Sequence, residues 1–174
     1  AASLTNSDPY ILSDGDDTLI IPDKMTGISE ISGGSGVDTV EFGSGNIDLS
    51  VAEITVHFDG GFEDLDLADG SGSDYVHLSY DAIDALSTGS ELTLNITGSG
   101  EVEILRISGD ASDSVYSQSG DKWSSVAPRN VSDGTATASE GTVYSVDSGG
   151  GQPLVYVQLI DIPVAAEPAP LAIL

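Results

Sequence analysis

The chain has 174 residues, which suits a single domain, and its 29 acidic residues against four basic ones give a net charge of −25. This charge excludes a basic surface for nucleic acid or anionic membrane. The absence of cysteine excludes disulfides and thiolate chemistry, and there is no apolar run of about 20 residues to span a bilayer. Because 39% of residues are apolar and come in short patterned runs, we expect a folded domain.

The N-terminal segment predicts export. The chain starts at Ala1-Ala2-Ser3, and small residues of this kind often flank a signal-peptidase cut. We therefore expect a mature extracellular protein, with a chain trimmed at its start as the alternative. We divide it into an extended segment at 1–12, an all-β domain at 13–161 and a Pro-rich apolar tail at 162–174.

Alternating apolar residues predict a series of short strands, because a period of two marks a strand with one buried face. Clusters of Gly, Ser, Asp and Asn separate these runs and supply turns. The predicted strands are 37–42, 54–58, those around Leu65 and Leu67, Val76 and Leu78, 92–96, 102–107, and the one at Val115. They recur about every 10 residues, which leaves little room for helices. One short helix is predicted at 81–86, capped by Ser79 or Asp81 and ended by Gly89.

The last third of the chain predicts a hairpin and a loop. Residues 142–147 and 154–161 flank a Gly-rich stretch and predict antiparallel partners. Residues 117–141 are rich in Ser, Gly, Thr and Ala, so we expect a long surface loop, with Trp123 as the candidate anchor. The tail at 162–174 carries three prolines, which exclude a central strand.

A glycine- and aspartate-rich motif indicates a metal site. Residues 33–41 match the nonapeptide G-G-x-G-x-D-x-U-x at every defined position, and 69–77 match with Asp in place of the first Gly. Residues 12–20 and 108–116 match in part. The glycines allow a tight turn that aims carbonyl oxygens at one side, where the aspartate adds a carboxylate. Carbonyl and carboxylate oxygens suit Ca²⁺ better than Mg²⁺, with ordinary Gly-Asp turns as the alternative.

The candidate Ca²⁺ ligands all lie in these turns. The best are the carboxylates of Asp38 and Asp74 with the carbonyls of Gly33, Ser35, Gly70 and Gly72, and weaker ones are Asp14, Asp17, Asp69, Asp110 and Asp113. The two histidines, His57 and His77, alternate with apolar residues, so we expect them on the solvent side of strands.

The turns resemble the calcium-binding repeats of RTX (repeats-in-toxin) proteins. More broadly, residues 33–160 resemble a module of large RTX-type bacterial adhesins and surface-layer proteins, through GGSGVDTVEF, EDLDLADGSGSDYVHLSYDAIDALS, LTLNITG, ISGDASDSV and the late hairpin. The resemblance implies an extracellular, Ca²⁺-dependent adhesive or scaffold role.

The spacing of the motifs departs from that family. Asp38, Asp74 and Asp113 lie 36 and 39 residues apart, whereas a regular β-roll needs adjacent repeats. We therefore favour a β-sandwich-like fold with RTX-like turns and a C-terminal hairpin. A short right-handed β-solenoid is the alternative, favoured by the 21-residue spacing of Asp17, Asp38 and Asp59.

For function, the sequence predicts a secreted, Ca²⁺-stabilised structural or adhesive surface protein. We expect it to self-assemble into a filament or surface layer, with segments 3–12 and 153–174 adding strands to a neighbouring copy. The alternative is a module that binds a cell-surface glycan or peptide through Ca²⁺. A polysaccharide-active enzyme is more remote: acid pairs such as Glu63/Asp64 or Glu101/Glu103 are inevitable among 29 acids, and basic residues for stabilising a carbanion are scarce. We therefore expect no enzymatic activity.

Overall fold

The computed structural model describes residues 10–21, 31–42, 46–49, 61–67 and 73–163. Within these ranges the regular structure is mostly β-strand, with one α-helix and one short 3₁₀ helix. The expectation of an all-β fold is therefore confirmed in its general form. The predicted strand at 54–58, which includes His57, and the tail beyond residue 163 lie outside the described residues.

Fifteen strands and two short helices are found in the described residues. The strands are β1 Tyr10–Ile11, β2 Thr18–Ile21, β3 Ile31–Ser32, β4 Thr39–Phe42, β5 Asn46–Asp48, β6 Asp64–Asp66, β7 Tyr75–Leu78, β8 Thr93–Ile96, β9 Gly100–Glu103, β10 Leu105–Ser108, β11 Ser114–Ser117, β12 Lys122–Ser125, β13 Val131–Asp133, β14 Thr142–Asp147 and β15 Val155–Ile160. The α-helix, α1, is Tyr80–Ser87, and the 3₁₀ helix is Pro128–Asn130. None of the described helices is long and apolar enough to cross a membrane.

The largest sheet has seven strands in the order β12-β14-β15-β10-β6-β4-β2. The five strands from β2 to β15 are parallel to one another, and β14 and β12 are each antiparallel to their neighbours. The chain therefore returns repeatedly to the same sheet, and each return adds a strand beside the last. We call the stretch of chain from one of these strands to the next a pass. Thr18 pairs with Thr39 and Thr39 with Asp64, so the first passes take 21 and 25 residues.

Three smaller sheets complete the fold. A parallel sheet runs β11-β7-β5, β1 pairs with β3 in parallel, and β13-β8-β9 form an antiparallel sheet. The pairs β1–β3, β2–β4 and β5–β7 each join one pass of the chain to the next. Successive passes are therefore stacked in register on more than one side.

The main core lies on the inner face of the seven-stranded sheet. Val40, Leu65, Ile107 and Leu159 occupy neighbouring register positions on four adjacent strands, and each is at most 2% exposed. Burying one such side chain contributes about 1.5–3 kcal/mol, so this row is a major source of stability. Leu19 continues the row on β2, but it is only half-buried.

The predicted helix is confirmed, with its cap. The Ser79 hydroxyl accepts a hydrogen bond from the Ala82 amide at 3.1 Å, which satisfies one of the free N–H groups of the first turn. The helix buries Ala82, Ile83 and Leu86 and ends just before Gly89, whose φ of +81° suits a residue without a Cβ.

The hairpin of the last third is confirmed, and the predicted surface loop at 117–141 is wrong. β14 and β15 pair in antiparallel fashion. The supposed loop contains β12, which pairs with β14, and β13, which pairs with β8. Both strands are short and mostly polar, so their sequences carry no alternation, and pairing with a neighbour defines them. Trp123 of β12 packs against the core, with its ring 6.0 Å from that of Tyr144.

Candidate functional site

Acidic residues immediately precede five of the parallel strands and form two groups. Asp17, Asp38 and Glu63 precede β2, β4 and β6, and we call these three residues the first turn column. Asp74 and Asp113 precede β7 and β11, and we call these two the second turn column. In both columns the strands that follow are hydrogen-bonded neighbours, so the acidic side chains of successive passes lie next to each other.

In the first turn column the carboxylates of Asp38 and Glu63 each accept a hydrogen bond from the backbone of the preceding pass. The Asp17 amide donates to Asp38 Oδ1 at 2.9 Å, and the Asp38 amide donates to Glu63 Oε2 at 2.7 Å. A carboxylate that accepts from a backbone N–H makes a stronger bond than a neutral acceptor does. The column therefore joins three passes of the chain through side chains.

The glycines of the nonapeptide allow these turns to stack backbone against backbone. Gly34 and Gly36 have φ values of +102° and +123°, which favour glycine. A Cβ on Gly36 would lie 2.5 Å from the Gly15 carbonyl carbon, and one on Gly34 would lie 2.7 Å from the Ser13 carbonyl oxygen. The Ser35 carbonyl accepts from the Gly15 amide at 2.6 Å, so this predicted ligand oxygen already has a protein partner.

Asp38 has one carboxylate oxygen to which the described part of the chain donates no hydrogen bond. The residue is fully buried, and Oδ2 has no hydrogen-bond partner among the described residues. A Cβ built on Gly33 would overlap the Gly61 carbonyl oxygen and lie 2.6 Å from Asp38 Oδ2, so both oxygens lie against the Gly33 backbone, close to each other. Two neighbouring oxygen acceptors, one of them without a described donor, suit a cation or a proton.

Burial and neighbouring acids make the charged forms of Asp38 and Glu63 unfavourable in the first turn column. Burial raises the pKa of Asp38, and the charges of Asp17, Asp16 and Glu91 act in the same direction, against the hydrogen bond from the Asp17 amide. Burial also raises the pKa of Glu63; the charge of Asp38 acts in the same direction, and the backbone amides of Asp38, Glu91 and Glu63 itself act against it. The folded protein therefore attracts a proton or a cation here.

The second turn column differs, because Asp113 is fully hydrogen-bonded. Its Oδ1 accepts from the Asp74 amide at 3.0 Å and its Oδ2 from the Asp110 amide at 2.6 Å. Asp110 in turn accepts from the amide and hydroxyl of Ser112, and these hydrogen bonds lower its pKa. The turn is thus closed by the protein's own donors.

The predicted ligands divide accordingly. The structure brings Gly33, Ser35 and Asp38 together in one turn, and Asp14 forms a backbone bridge to Ser35 from the pass before. Asp17 belongs to the pass before and donates its amide to Asp38. Asp74 and Asp113 form the second turn column, and Asp110 lies in the same turn as Asp113. Asp69, Gly70 and Gly72 lie outside the described residues.

Two residues of the site were missed by the sequence analysis. Glu63 takes the place of the motif aspartate, and the Gly61 carbonyl lies beside Gly33 and Asp38 Oδ2. Neither belongs to a nonapeptide. The usable signal was an acid two residues before a buried apolar residue, as in Asp38-Thr39-Val40 and Glu63-Asp64-Leu65.

The other candidate acids are engaged elsewhere. Asp64 binds Arg106 at 2.7 Å in an ion pair on the outer face of the large sheet. Glu101 accepts from the Thr93 hydroxyl, and Glu103 accepts from the Gly89 amide. Among the described residues, no group of three or more His, Asp or Glu side chains is placed to hold a metal ion. A Ca²⁺ site at Asp38 would therefore depend on backbone carbonyl oxygens.

Comparison with known proteins identifies no relative: no family model, no curated protein and no solved structure matches this chain. The resemblance to RTX proteins stays a prediction from the sequence motifs. A function has to be argued from the geometry of the turns and the edges of the sheets.

Proposed function

We propose that this chain is an extracellular, Ca²⁺-stabilised structural or adhesive protein of the cell surface that self-assembles. We further propose that its stacked passes form a short β-solenoid. Support for the solenoid over a sandwich comes from the five parallel strands, β2 to β15, and from β5, β7 and β11, which pair in register on another side. Such a fold presents the same kind of turn repeatedly along one line.

The observation that carries the Ca²⁺ proposal is the unsatisfied Oδ2 of buried Asp38 beside the Gly61 carbonyl. A buried carboxylate with one unpaired oxygen is costly, and this one lies among other acids in a chain of charge −25. Ca²⁺ accepts carbonyl and carboxylate oxygens together and tolerates irregular geometry. A bound ion would relieve the repulsion along the first turn column.

Thermal unfolding with and without Ca²⁺ tests this proposal. A ligand that binds only the folded state at 100 times its Kd stabilises it by about 2.7 kcal/mol, so we expect millimolar Ca²⁺ to raise the Tm by several degrees. A chelator should reverse the rise, and Asp38→Asn should remove most of it. Glu140→Gln removes an equally negative but exposed side chain and should leave the Ca²⁺ response intact. An unchanged Tm in the wild type would contradict the proposal.

The alternative, a module that binds a ligand, has one feature in its favour. A groove of about 320 Å³ lies beside the C-terminal end of α1, lined in part by Asp84, Glu101, Glu103, Leu154 and Tyr156. Its acidic rim and apolar Leu154 suit a cationic or hydroxyl-rich ligand bound through Ca²⁺. Binding of immobilised glycans that is lost in Glu103→Gln, while assembly persists, would favour this alternative.

A further inference from the structure

We propose that copies of this chain join head to tail, with the β12 edge of one copy against the β2 edge of the next. This proposal rests on the self-assembly part of the proposed function. It places the contact on the edges of the seven-stranded sheet instead of on the flanking segments. The occupant of each edge is thus a second copy of the chain.

The direction of the two edge strands suits such a contact. β12 is antiparallel to β14, and β14 is antiparallel to β15, so β12 runs in the same direction as β15 and hence as β2. A copy that lays β12 beside β2 therefore continues the parallel arrangement of the sheet. An exposed edge strand offers unpaired N–H and C=O groups to such a neighbour.

Both ends of the main core are incompletely covered in the described structure. At the β2 end, Leu19 is half-buried although its register partner Val40 is fully buried. Ile11 and Ile20 are 69% and 55% exposed nearby. At the β12 end, Trp123 is the half-buried residue on the inner face. Head-to-tail stacking would bring these apolar end surfaces together and bury them.

In the acidic turn at the β2 end, one carboxylate oxygen has no described hydrogen-bond donor. Asp38 and Asp113 each use Oδ1 to accept an amide of the preceding pass. Asp17 uses Oδ2 for the amide and hydroxyl of Ser13, at 3.0 and 2.8 Å, and no described donor reaches its Oδ1. A Cβ on Gly15 would have no described atom beyond its chain neighbours within 4 Å, whereas a Cβ on Gly36 would collide with Gly15 of the preceding pass. The first pass is therefore built to receive another strand.

One pair of opposite charges lies at the N-terminal ends of the two edge strands. β12 starts with Lys122, which is exposed and is one of only four basic residues in the chain. The turn before β2 carries exposed Asp14 and Asp16. In a parallel contact the N-terminal ends of β12 and β2 lie side by side, which places the lysine near these acids. Opposite charges at an interface steer its orientation and disfavour the reverse one.

The contact joins two different surfaces, so it does not close on itself. Each copy retains one free β2 edge and one free β12 edge after pairing. We therefore expect open filaments that lengthen with protein concentration, in place of discrete dimers.

A charge-exchange experiment tests the contact, with sedimentation velocity and negative-stain electron microscopy as readouts in Ca²⁺-containing buffer. Lys122→Glu and Asp14→Lys each place like charges at the contact, and each should raise the concentration needed for filaments roughly tenfold. The double variant restores opposite charges within every contact and should form filaments again. In an equimolar mixture of the two single variants, both contacts between unlike copies join opposite charges, so alternating filaments should form at concentrations where neither variant assembles alone.

Arg129→Glu makes the same charge change as Lys122→Glu on an exposed residue of the 3₁₀ helix, and it should leave filaments unaffected. If both single variants assemble like the wild type, or if the wild type stays monomeric, the proposal is overturned. The Tm response to Ca²⁺ is read on the same samples. A normal Ca²⁺ response in variants that assemble normally would leave the Ca²⁺ proposal standing and reject only this contact.

Discussion

The two turn columns place the same kind of acid before the same kind of strand, yet they satisfy it differently. In the second turn column, Asp113 has a backbone amide on each carboxylate oxygen. In the first, Asp38 has an amide on Oδ1, and no described residue donates to the buried Oδ2. The same position in the motif therefore serves two roles. The Asp113 carboxylate cross-links the backbone with both oxygens, whereas the Asp38 carboxylate keeps one oxygen free to bind a cation.

The difference arises from what each turn packs against. Gly109, before Asp113, faces Ile162, and the Asp110 amide reaches back to the carboxylate. Gly33, before Asp38, faces the carbonyl oxygen of Gly61 from the next pass. A backbone carbonyl can bind a cation but cannot donate a hydrogen bond, so the first turn column keeps an open acceptor where the second has a closed one.

The largest expected effect separates the two motif glycines. A Cβ on Gly33 would overlap a backbone carbonyl, which cannot move without shifting a whole pass, so Gly33→Ala should cost about 3 kcal/mol or more. A Cβ on Gly109 would lie 2.8 Å from the flexible end of the Ile162 side chain and 2.6 Å from Asp113 Oδ2, so Gly109→Ala should cost less, about 1–2 kcal/mol.

Urea unfolding of both variants measures this order. Gly150→Ala is the control, because its Cβ would meet only Ser148 Oγ at 3.7 Å, and its stability should stay within about 0.5 kcal/mol of the wild type. If Gly109→Ala proved as damaging as Gly33→Ala, the two turns would be equally tight, and the contrast between backbone and side-chain contacts would fail.

The second expected effect distinguishes the two aspartates. Asp113→Asn replaces one acceptor with an NH₂ group that faces an amide N–H, so we expect a loss of about 1–3 kcal/mol. Asp38→Asn removes a buried charge among other acids, so its loss without Ca²⁺ should be smaller. Urea unfolding in a chelator gives both values. Equal losses would mean that both carboxylates serve only as backbone acceptors.

Much of the local structure could be predicted from the sequence, because it depends on local pattern. Alternation around Val40, Leu65 and Val76 places these residues in strands with one buried face. The Ser79 cap and the hairpin of β14 and β15 follow from short-range rules as well. Whether neighbouring strands run parallel could not be predicted, because a half-buried strand has the same alternation in either arrangement.

The missed features depend on contacts between passes. β12 is polar except for Trp123, and it becomes a strand because β14 lies beside it. Glu63 joins the first turn column because a pass of 25 residues brings it level with Asp38, although no nonapeptide marks it. In contrast, Gly33 and Asp38 were predicted to share a turn, because their motif is contiguous in sequence.

The smallest expected effect concerns pH, and it belongs to the first turn column alone. Burial raises the pKa of Glu63 above its ordinary value of 4.5 and that of Asp38 above 3.8. Groups that hold a proton more tightly when folded stabilise the fold below their ordinary pKa, and this contribution is lost as the pH rises through their folded-state pKa. In a chelator, the Tm should therefore fall as the pH rises from about 4 towards neutrality.

General repulsion among 29 acids acts in the same direction, so the test is a difference between variants. Glu63→Gln should flatten the Tm–pH curve relative to the wild type, whereas Glu140→Gln, which removes an exposed acid, should only displace it. Calorimetric scans across this range measure both slopes. Parallel curves for Glu63→Gln and the wild type would mean that the buried acids keep ordinary proton affinities. Buried charge would then contribute nothing to the stability of the first turn column. The two columns would differ only in their hydrogen bonds.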